Sequence, residues 1–503
     1  MNSTINFWYL LELNNTSRNK KNYYHLEAPG ESSLKISLTE KGLKINQVSC
    51  PLWSGSRSPS LEKAKKVRKP YVEICDGTLL LRNKIEGYTT TKEWVVEFLR
   101  SKVWGGETIT SLVKNTVYKD KYLQVGNQSV TDSSTKYSPP PNSPSAAHIS
   151  PTQVETKIAP DHLGLTVTNP QDDKLLLGKW YAIENQDHMF VSLIYPRAIS
   201  EDIMNTHKGT TRAFDAIEKE ALVYLVAFDL TKFDLHFALG TDHPRLGWSD
   251  RVTSKVKIND IPGPDGIGNG SPLVRTGIVA PKLVEKLVAT FTGGFKRSHG
   301  AFKYGNLALI NRGSHYGFME SGVIFSKLQP NLATAIIHND GKVTFKSWTE
   351  KDNLDIKDIR HARQNGAPLL ENGVPGALVR HWGKGNWSGN ELSQQRTLRA
   401  GMCLREEGGG KFLIYGYFSS VTSNAMARVF QAYGCSYGMH LDMNALEHTY
   451  MARYISKPGK EGKFPQHLIK GMSVLDQKYK RGGVVPRFVG YPDNRDFFYL
   501  LRK

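Results

Sequence analysis

Closely spaced cysteines are missing from this sequence. Its four, Cys50, Cys75, Cys403 and Cys435, stand far apart with no Cys-x-x-Cys spacing, which argues against a zinc ribbon or a disulfide scaffold. A single Cys403–Cys435 bridge is conceivable, though nothing in the spacing requires it. Long apolar runs are missing too. "FWYLLEL" near the start is too short to cross a bilayer and contains Glu12, and it lacks the basic start and small-residue cleavage site of a secretory signal. No membrane-spanning segment is therefore expected. The chain reads either as cytoplasmic or as one whose export signal is missing or atypical, which leaves its compartment open. There are no internal repeats and no Walker A spacing. "EEGGGKFLIYG" precedes a strand where a P-loop would precede a helix, so it reads as a hairpin turn. "GPDGIGNGSP" lacks the helix of a dinucleotide fold and reads as a loop. No complete metal-ligand set such as HExxH occurs. No cofactor is expected, and a metal requirement stays open.

Acidic residues are in short supply: 47 Asp and Glu stand against 66 Lys and Arg, a formal net charge of +19. Such a surface attracts anions, whether nucleic acid, acidic polysaccharide, phospholipid or a phosphorylated substrate. Charge alone is equally explained by a soluble basic surface. At 503 residues the chain exceeds one typical domain.

Four regions are expected. Residues 1–70 are polar and Lys/Ser-rich, ending in "SRSPSLEKAKKVRKP", and read as a flexible basic arm. Residues 71–130 read as a small accessory subdomain. There "TKEWVVEFLRSKVW" sets Trp94, Val95, Phe98, Leu99 and Val103 on one helical face, with Thr91 as N-cap. The Pro/Ser-rich stretch 131–155 reads as an extended linker. Residues 175–503 read as one α/β (α+β) region with a mixed sheet. Its clearest pieces are an Asp-Gly hairpin in "AIIHNDGKVTFK" and the helix "SNAMARVFQAYG", capped by Ser423 and ended by Gly434.

Three stretches carry candidate chemistry. In "FTGGFKRSHGAF" a strand runs into Gly293-Gly294, where the backbone can turn its N–H groups toward an anion, with Lys296 following. "RHARQNGAPLLENG" offers Arg363, Gln364 and Asn372, and "QQRT" offers Arg396 and Thr397; arginine's planar fork suits a phosphate. In "SYGMHLDMNALEHTY" alternation places His440, Asp442 and Asn444 on one side of a strand that follows a helix, with Glu447 and His448 just beyond. The carboxylate could act as nucleophile, base or stabiliser of a cationic sugar centre; His440 and Asp442 could equally supply metal ligands. A solvated strand end is as good an account of this segment alone.

The order of "TGGF", "RQNGAPLLENG", "QRT", "KFLIYGYF", "NAMARVFQAYG" and "YGMHLDMN" resembles the phosphodiester glycosidase family over about residues 175 to 500. The resemblance implies a hydrolase cleaving a sugar–phosphate bond. Asp442 would stabilise or attack the anomeric centre, and Arg396 and Thr397 with the Gly293-Gly294 backbone would hold the phosphate; beside these, Lys296 could add to the grip, Glu447 or His448 could act as base for water, and His440 is a further catalytic candidate. It implies an anionic sugar-phosphate or phosphorylated polysaccharide as substrate, and a secreted or periplasmic setting. Thr292 stands where the family's motif has asparagine, and "LDMNALEH" replaces its glycine-rich turn after the aspartate. The alternatives are a non-catalytic binder of an anionic envelope polysaccharide and a metal-dependent phosphodiesterase using His440 and Asp442. Nucleic-acid binding ranks last, because no recognised fold supports it.

Overall fold

The computed structural model describes the chain except residues 1–6, 16–19, 31–33, 55–57, 103–119, 131–136, 169–172, 243–273, 296–315, 327, 381–394 and 480–482. It is mostly β-sheet, with 43% strand and 15% helix, so the expected α/β class holds only loosely. Among the described residues every strand ladder is antiparallel, from the 8-stranded sheet to the smaller ones. Some neighbours are consecutive hairpin strands and others are brought together from distant parts of the chain, whereas each parallel pair would need a long crossover connection. The mixed-sheet expectation is thus corrected.

Six strands position the site: β1 (Leu287–Thr292), β2 (Ile359–Gln364), β3 (Thr397–Glu407), β4 (Gly410–Val421), β5 (Tyr437–Met443) and β6 (Phe497–Arg502). β3 and β4 form the long central hairpin, whose Gly408 and Gly409 adopt the left-handed backbone a tight turn needs. β5 lies against β3 in the same sheet. β1 and β6 are neighbours in a 5-stranded sheet, and β2 is central to another. One apolar core joins all three sheets: Phe291 of β1 lies against Tyr415 of β4 and Phe498 of β6, with ring centroids 5.1 and 5.4 Å apart.

Three helices matter: α1 (Pro59–Lys66), α2 (Thr91–Lys102) and α3 (Ser423–Ala432). α3 buries Met426, Val429 and Phe430 and ends at Gly434, in left-handed backbone; its cap is Thr422, one residue before the expected Ser423. In α2 the expected packing face is reversed. Trp94, Val95 and Phe98 are exposed while Glu93 is buried, and Thr90 caps the helix by accepting from the Glu93 N–H; Val103 lies outside the described residues.

The flexible arm expected over residues 1–70 is also corrected. "FWYLLEL" lies mostly in the strand Trp8–Asn15, which pairs with Lys20–Glu27 and, through it, with Leu79–Arg82. The apolar residues that composition averages away, Tyr24, Leu26, Leu43, Leu52 and Leu61, form a small core with Leu79 and Leu81. A Cys50–Cys75 disulfide crosses it. The second bridge, Cys403–Cys435, ties β3 to the turn before β5; both pairs meet only through tertiary folding. This unit is anchored to the larger body by Arg82, whose guanidinium stacks on Trp8 and donates to Glu320 at 2.7 Å. The described part of the Pro/Ser stretch includes the 3-10 turn Pro151–Gln153 and is pinned along the body: Ala147 N–H donates to Gly178 O and His148 N–H to Ala432 O, each at 2.8 Å.

Candidate functional site

β5 carries the alternating His-x-Asp-x-Asn to the end of its sheet, where Asn444 turns the chain with φ of 80°. Asp442 is 2% exposed. Its Oδ1 accepts the Met443 N–H at 2.8 Å, and its Oδ2 pairs with Arg495 Nη1. Arg495 comes from "DNRDFFYLL", where Asp493, Asn494, Arg495 and Asp496 are all buried just before β6. Arg495 Nη2 donates to Glu93 Oε1 at 2.7 Å and to His448 Nε2 at 2.8 Å. His448 Nδ1 lies 2.6 Å from Met443 O. A carbonyl can only accept, so the ring is protonated on Nδ1 and its Nε2 receives the arginine hydrogen.

A second guanidinium braces this centre. Arg487 forks onto Asp493 at 2.7 and 3.0 Å and donates to the Glu447 carbonyl at 2.8 Å, while Asp493 accepts the Arg495 N–H at 2.9 Å. Glu447 Oε1 stands 4.0 Å from His448 Nε2. The segment at 493–495 is threaded so closely past Gly240 and Gly277 that a Cβ on either would strike its backbone. Tyr88 bridges to Asp493 beside it, so the N-terminal region is built into the site.

Burial pushes the Asp442 carboxyl up to about 6; Arg495 and the Met443 N–H oppose this, and Asp496 and Glu93 add to it. Burial works against the Arg495 charge, yet Glu93 and Asp442 together hold its pKa above the ordinary value. His440 is pushed well below its usual range by burial and by Arg399. A carboxyl that titrates near neutrality can serve as base, nucleophile or charge stabiliser with small changes in its surroundings.

Gly293 and Gly294 meet this network from β1. The Gly293 N–H donates to Asp496 O at 2.9 Å, and a Cβ there would overlap the Asp496 carboxylate. A Cβ on Gly294 would lie 2.7 Å from both Arg363 Nη2 and Asn365 Oδ1. Asn365 in turn donates to the carbonyls of His440 and Leu441 at 2.7 and 2.8 Å, which ties the glycine bend to β5. Gly293→Ala is therefore expected to destabilise the fold by ~1–3 kcal/mol, measured by urea denaturation. Gly209→Ala, where nothing lies within 4 Å, is the control expected to stay within about 0.5 kcal/mol.

Several expected site residues are placed elsewhere or already engaged. Arg396 does not reach Asp442: it pairs with Asp120 at 3.0 Å and with Asp215. Thr397 donates to Asn444 Oδ1 at 3.0 Å, so these two satisfy each other. Arg363, fully buried, forks onto Asp496 and stacks 4.4 Å over Phe318. The Gln364 amide is spent on Gly317, Gln329 and Thr334. Asn372 occupies an exposed left-handed turn beside the start of β5, at the end opposite Asp442. His440 sits between Leu441 O and Arg399 Nη1, at 2.6 and 2.9 Å, which engages both ring nitrogens and leaves neither for a metal. Among the described residues no group of three His, Cys, Asp or Glu could hold a metal ion. Lys296 lies outside the described residues.

Sequence reasoning missed Arg495, Asp493, Asp496, Asn365, Arg487 and Glu93. One signal was available: "DNRD" places four polar residues directly before an apolar strand, and such a run, if buried, must pair internally.

No family model and no curated protein matches the sequence. Among solved structures the chain is similar to the zebrafish N-acetylglucosamine-1-phosphodiester alpha-N-acetylglucosaminidase catalytic domain, described as auto-inhibited by pro-peptide. That likeness has a TM-score of 0.33 and 10% identity over 64% of this chain and 85% of that one. It is also similar to a hypothetical protein from Synechocystis, with a TM-score of 0.27 and 9% identity over 56% of this chain and 59% of that one. These are weak resemblances of shape.

Proposed function

We propose that this protein is a hydrolase of sugar–phosphate (glycosyl phosphodiester) bonds, working at Asp442 with Arg495 as the cation that Arg396 was expected to be. The observation that carries this reading is the buried Asp442–Arg495 pair at the end of β5, with the carboxyl held near 6. Breaking such a bond builds positive charge at the anomeric carbon and negative charge on the departing phosphate. The ionised Asp442 answers the first and Arg495 the second. Water adds to the anomeric carbon, the carbon–oxygen bond to phosphate breaks, and its electron pair leaves with the phosphate. Glu447, beside His448, takes the proton from water. The substrate class is an anionic sugar phosphate or phosphorylated polysaccharide, and the two disulfides suit an oxidising compartment.

Asp442→Asn is the direct test. Turnover of a UDP-sugar or a sugar-phosphate diester is expected to vanish. The fold should persist at reduced stability, because Glu93 still pairs with Arg495 and the amide oxygen accepts one of the two hydrogens that Asp442 receives. In the unaltered protein the acid limb of kcat/KM should lie near pH 6, well above an ordinary aspartate, because Asp442 must be ionised to act. Unchanged turnover in the variant removes Asp442 from the mechanism. The burial of Asp442 and the docking of Glu93 on Arg495 favour a second reading, a non-catalytic binder of an anionic polymer. Polymer binding that survives Asp442→Asn, with no hydrolysis of any phosphodiester, selects it.

A further inference from the structure

Arginine grips a two-oxygen anion best along the edge formed by Nε and Nη2. Arg363 uses that edge on Asp496, and Arg487 uses it on Asp493. Arg495 does not. Its Nη2 donates to Glu93 and His448, while its Nε is buried with no acceptor. A buried charged donor without a partner is costly, and here it sits on a fully buried guanidinium whose other end holds Asp442. Of this edge only Nη2 is engaged, by one oxygen of Glu93, its one anionic acceptor, and by the His448 ring.

That carboxylate comes from α2, which docks in an unusual way. An amphipathic helix ordinarily docks by its apolar face. Here the aromatic pair Trp94 and Phe98 is stacked in solvent, 59% and 47% exposed, and Glu93 is the buried residue among the described side chains of the helix. The helix is thus seated on the body by its carboxylate, with Trp94, Val95 and Phe98 outward and Val96 and Leu99 half-buried.

We propose that the Nε/Nη2 edge of Arg495 is an oxyanion subsite, built for the phosphate of a sugar phosphate, and that Glu93 is an internal stand-in for that anion. A phosphate presents two oxygens to the edge and satisfies Nε as well as Nη2, which the single Glu93 oxygen does not. Because Nη1 stays on Asp442, a phosphate bound there lies one guanidinium away from the carboxylate. That is the separation of charges a glycosyl phosphate needs at its two ends. Ligand and Glu93 compete for the same hydrogens, so α2 must leave when the anion binds. The inference deepens the hydrolase reading and rests on it for the sugar, but the anion subsite itself is testable without turnover.

The probe is inorganic phosphate, titrated calorimetrically into the whole chain at pH 7. Glu93→Gln removes the competing charge and is expected to bind phosphate at least ~10-fold more tightly than the unaltered protein, a change of about 1.4 kcal/mol. Adding Arg495→Lys to that variant should abolish the gain, since lysine has no fork. Hydrogen exchange on the unaltered chain provides a measurement that needs no variant to fold: saturating phosphate should speed exchange across residues 91–102. Phosphate affinity indifferent to Glu93, or exchange in α2 indifferent to phosphate, overturns the proposal. Tighter phosphate binding in Glu93→Gln with no hydrolysis of any glycosyl phosphodiester upholds the subsite and overturns the hydrolase.

Discussion

Arg495→Met is expected to destabilise the protein by ~3–5 kcal/mol at pH 7, the cost of stranding a buried charge after its partner is removed. Two carboxylates lose their counterion at once. Asp442 keeps only the Met443 N–H, and Glu93 loses the cation on which α2 is seated. Methionine fills much of the arginine's volume, so the loss reports charge more than packing. The effect should depend on pH in a defined direction. Arg495 is the main influence holding the Asp442 carboxyl down against burial, so in the variant Asp442 protonates at higher pH than it does now. The deficit should therefore shrink as pH falls from 7 to 5. Urea denaturation of Arg495→Met at both values measures this. Adding Asp442→Asn to Arg495→Met should restore part of the lost stability by removing one stranded charge. A deficit below about 1 kcal/mol, or one that grows toward pH 5, would contradict the placement of Arg495 at the centre of the network.

The two arginine assignments show what sequence order can and cannot reveal. β5, α3, the glycine bend and the β3–β4 hairpin were legible because each depends on local periodicity or on backbone freedom. The order of motifs also led to the expectation that Gly293-Gly294 and Asp442 converge; the glycines reach β5 through Asn365. Arg396 was the natural choice of cation because it sits before a strand in the expected order, but it is drawn off by Asp120 and Asp215, residues with no motif of their own. Arg495 lies 53 positions after Asp442, and nothing local marks it except its polar neighbours. Glu93 was harder still. Helical periodicity assigned the buried face of α2 to Trp94 and Phe98, as hydrophobicity normally would. The docking is decided instead by a guanidinium about 400 residues away in the chain, at a separation of 402. The N-terminal arm failed for a related reason: its lysines lie on the outside of a small apolar core closed by a disulfide, and composition averages the two.

Acid should unfold this protein sooner than its basic composition suggests, because four histidines among the described residues are buried in surroundings that disfavour their charged form. Burial pushes His25 down to about 3, with Arg82 adding to it, and drives His236, His361 and His440 well below the usual range. Each has a folded-state pKa below its unfolded value of about 6.5. The unfolded chain therefore binds protons first, and the stability present above pH 6.5 is lost as pH falls toward the folded values. By pH 5 each histidine contributes a loss of up to about 2 kcal/mol. Asp442 works the other way: its folded pKa is raised, so it lends stability below pH 4 that fades as pH climbs through 6, and between 6 and 5 it returns only about 1 kcal/mol. The histidines prevail, and the unfolding midpoint in urea should fall steeply between pH 7 and 5. His440 is the most exposed to this conflict in physical terms. Its Nε2 accepts from Arg399, so a second proton on the ring would set two cations face to face inside the core. His440→Gln, which can still accept that arginine hydrogen, should flatten the pH dependence by roughly the share of one histidine. A midpoint that stays level from pH 7 to 5 would mean that these rings carry their protons in the folded state, and with that the neutral His440 facing Arg399 at the root of β5 would have to be given up.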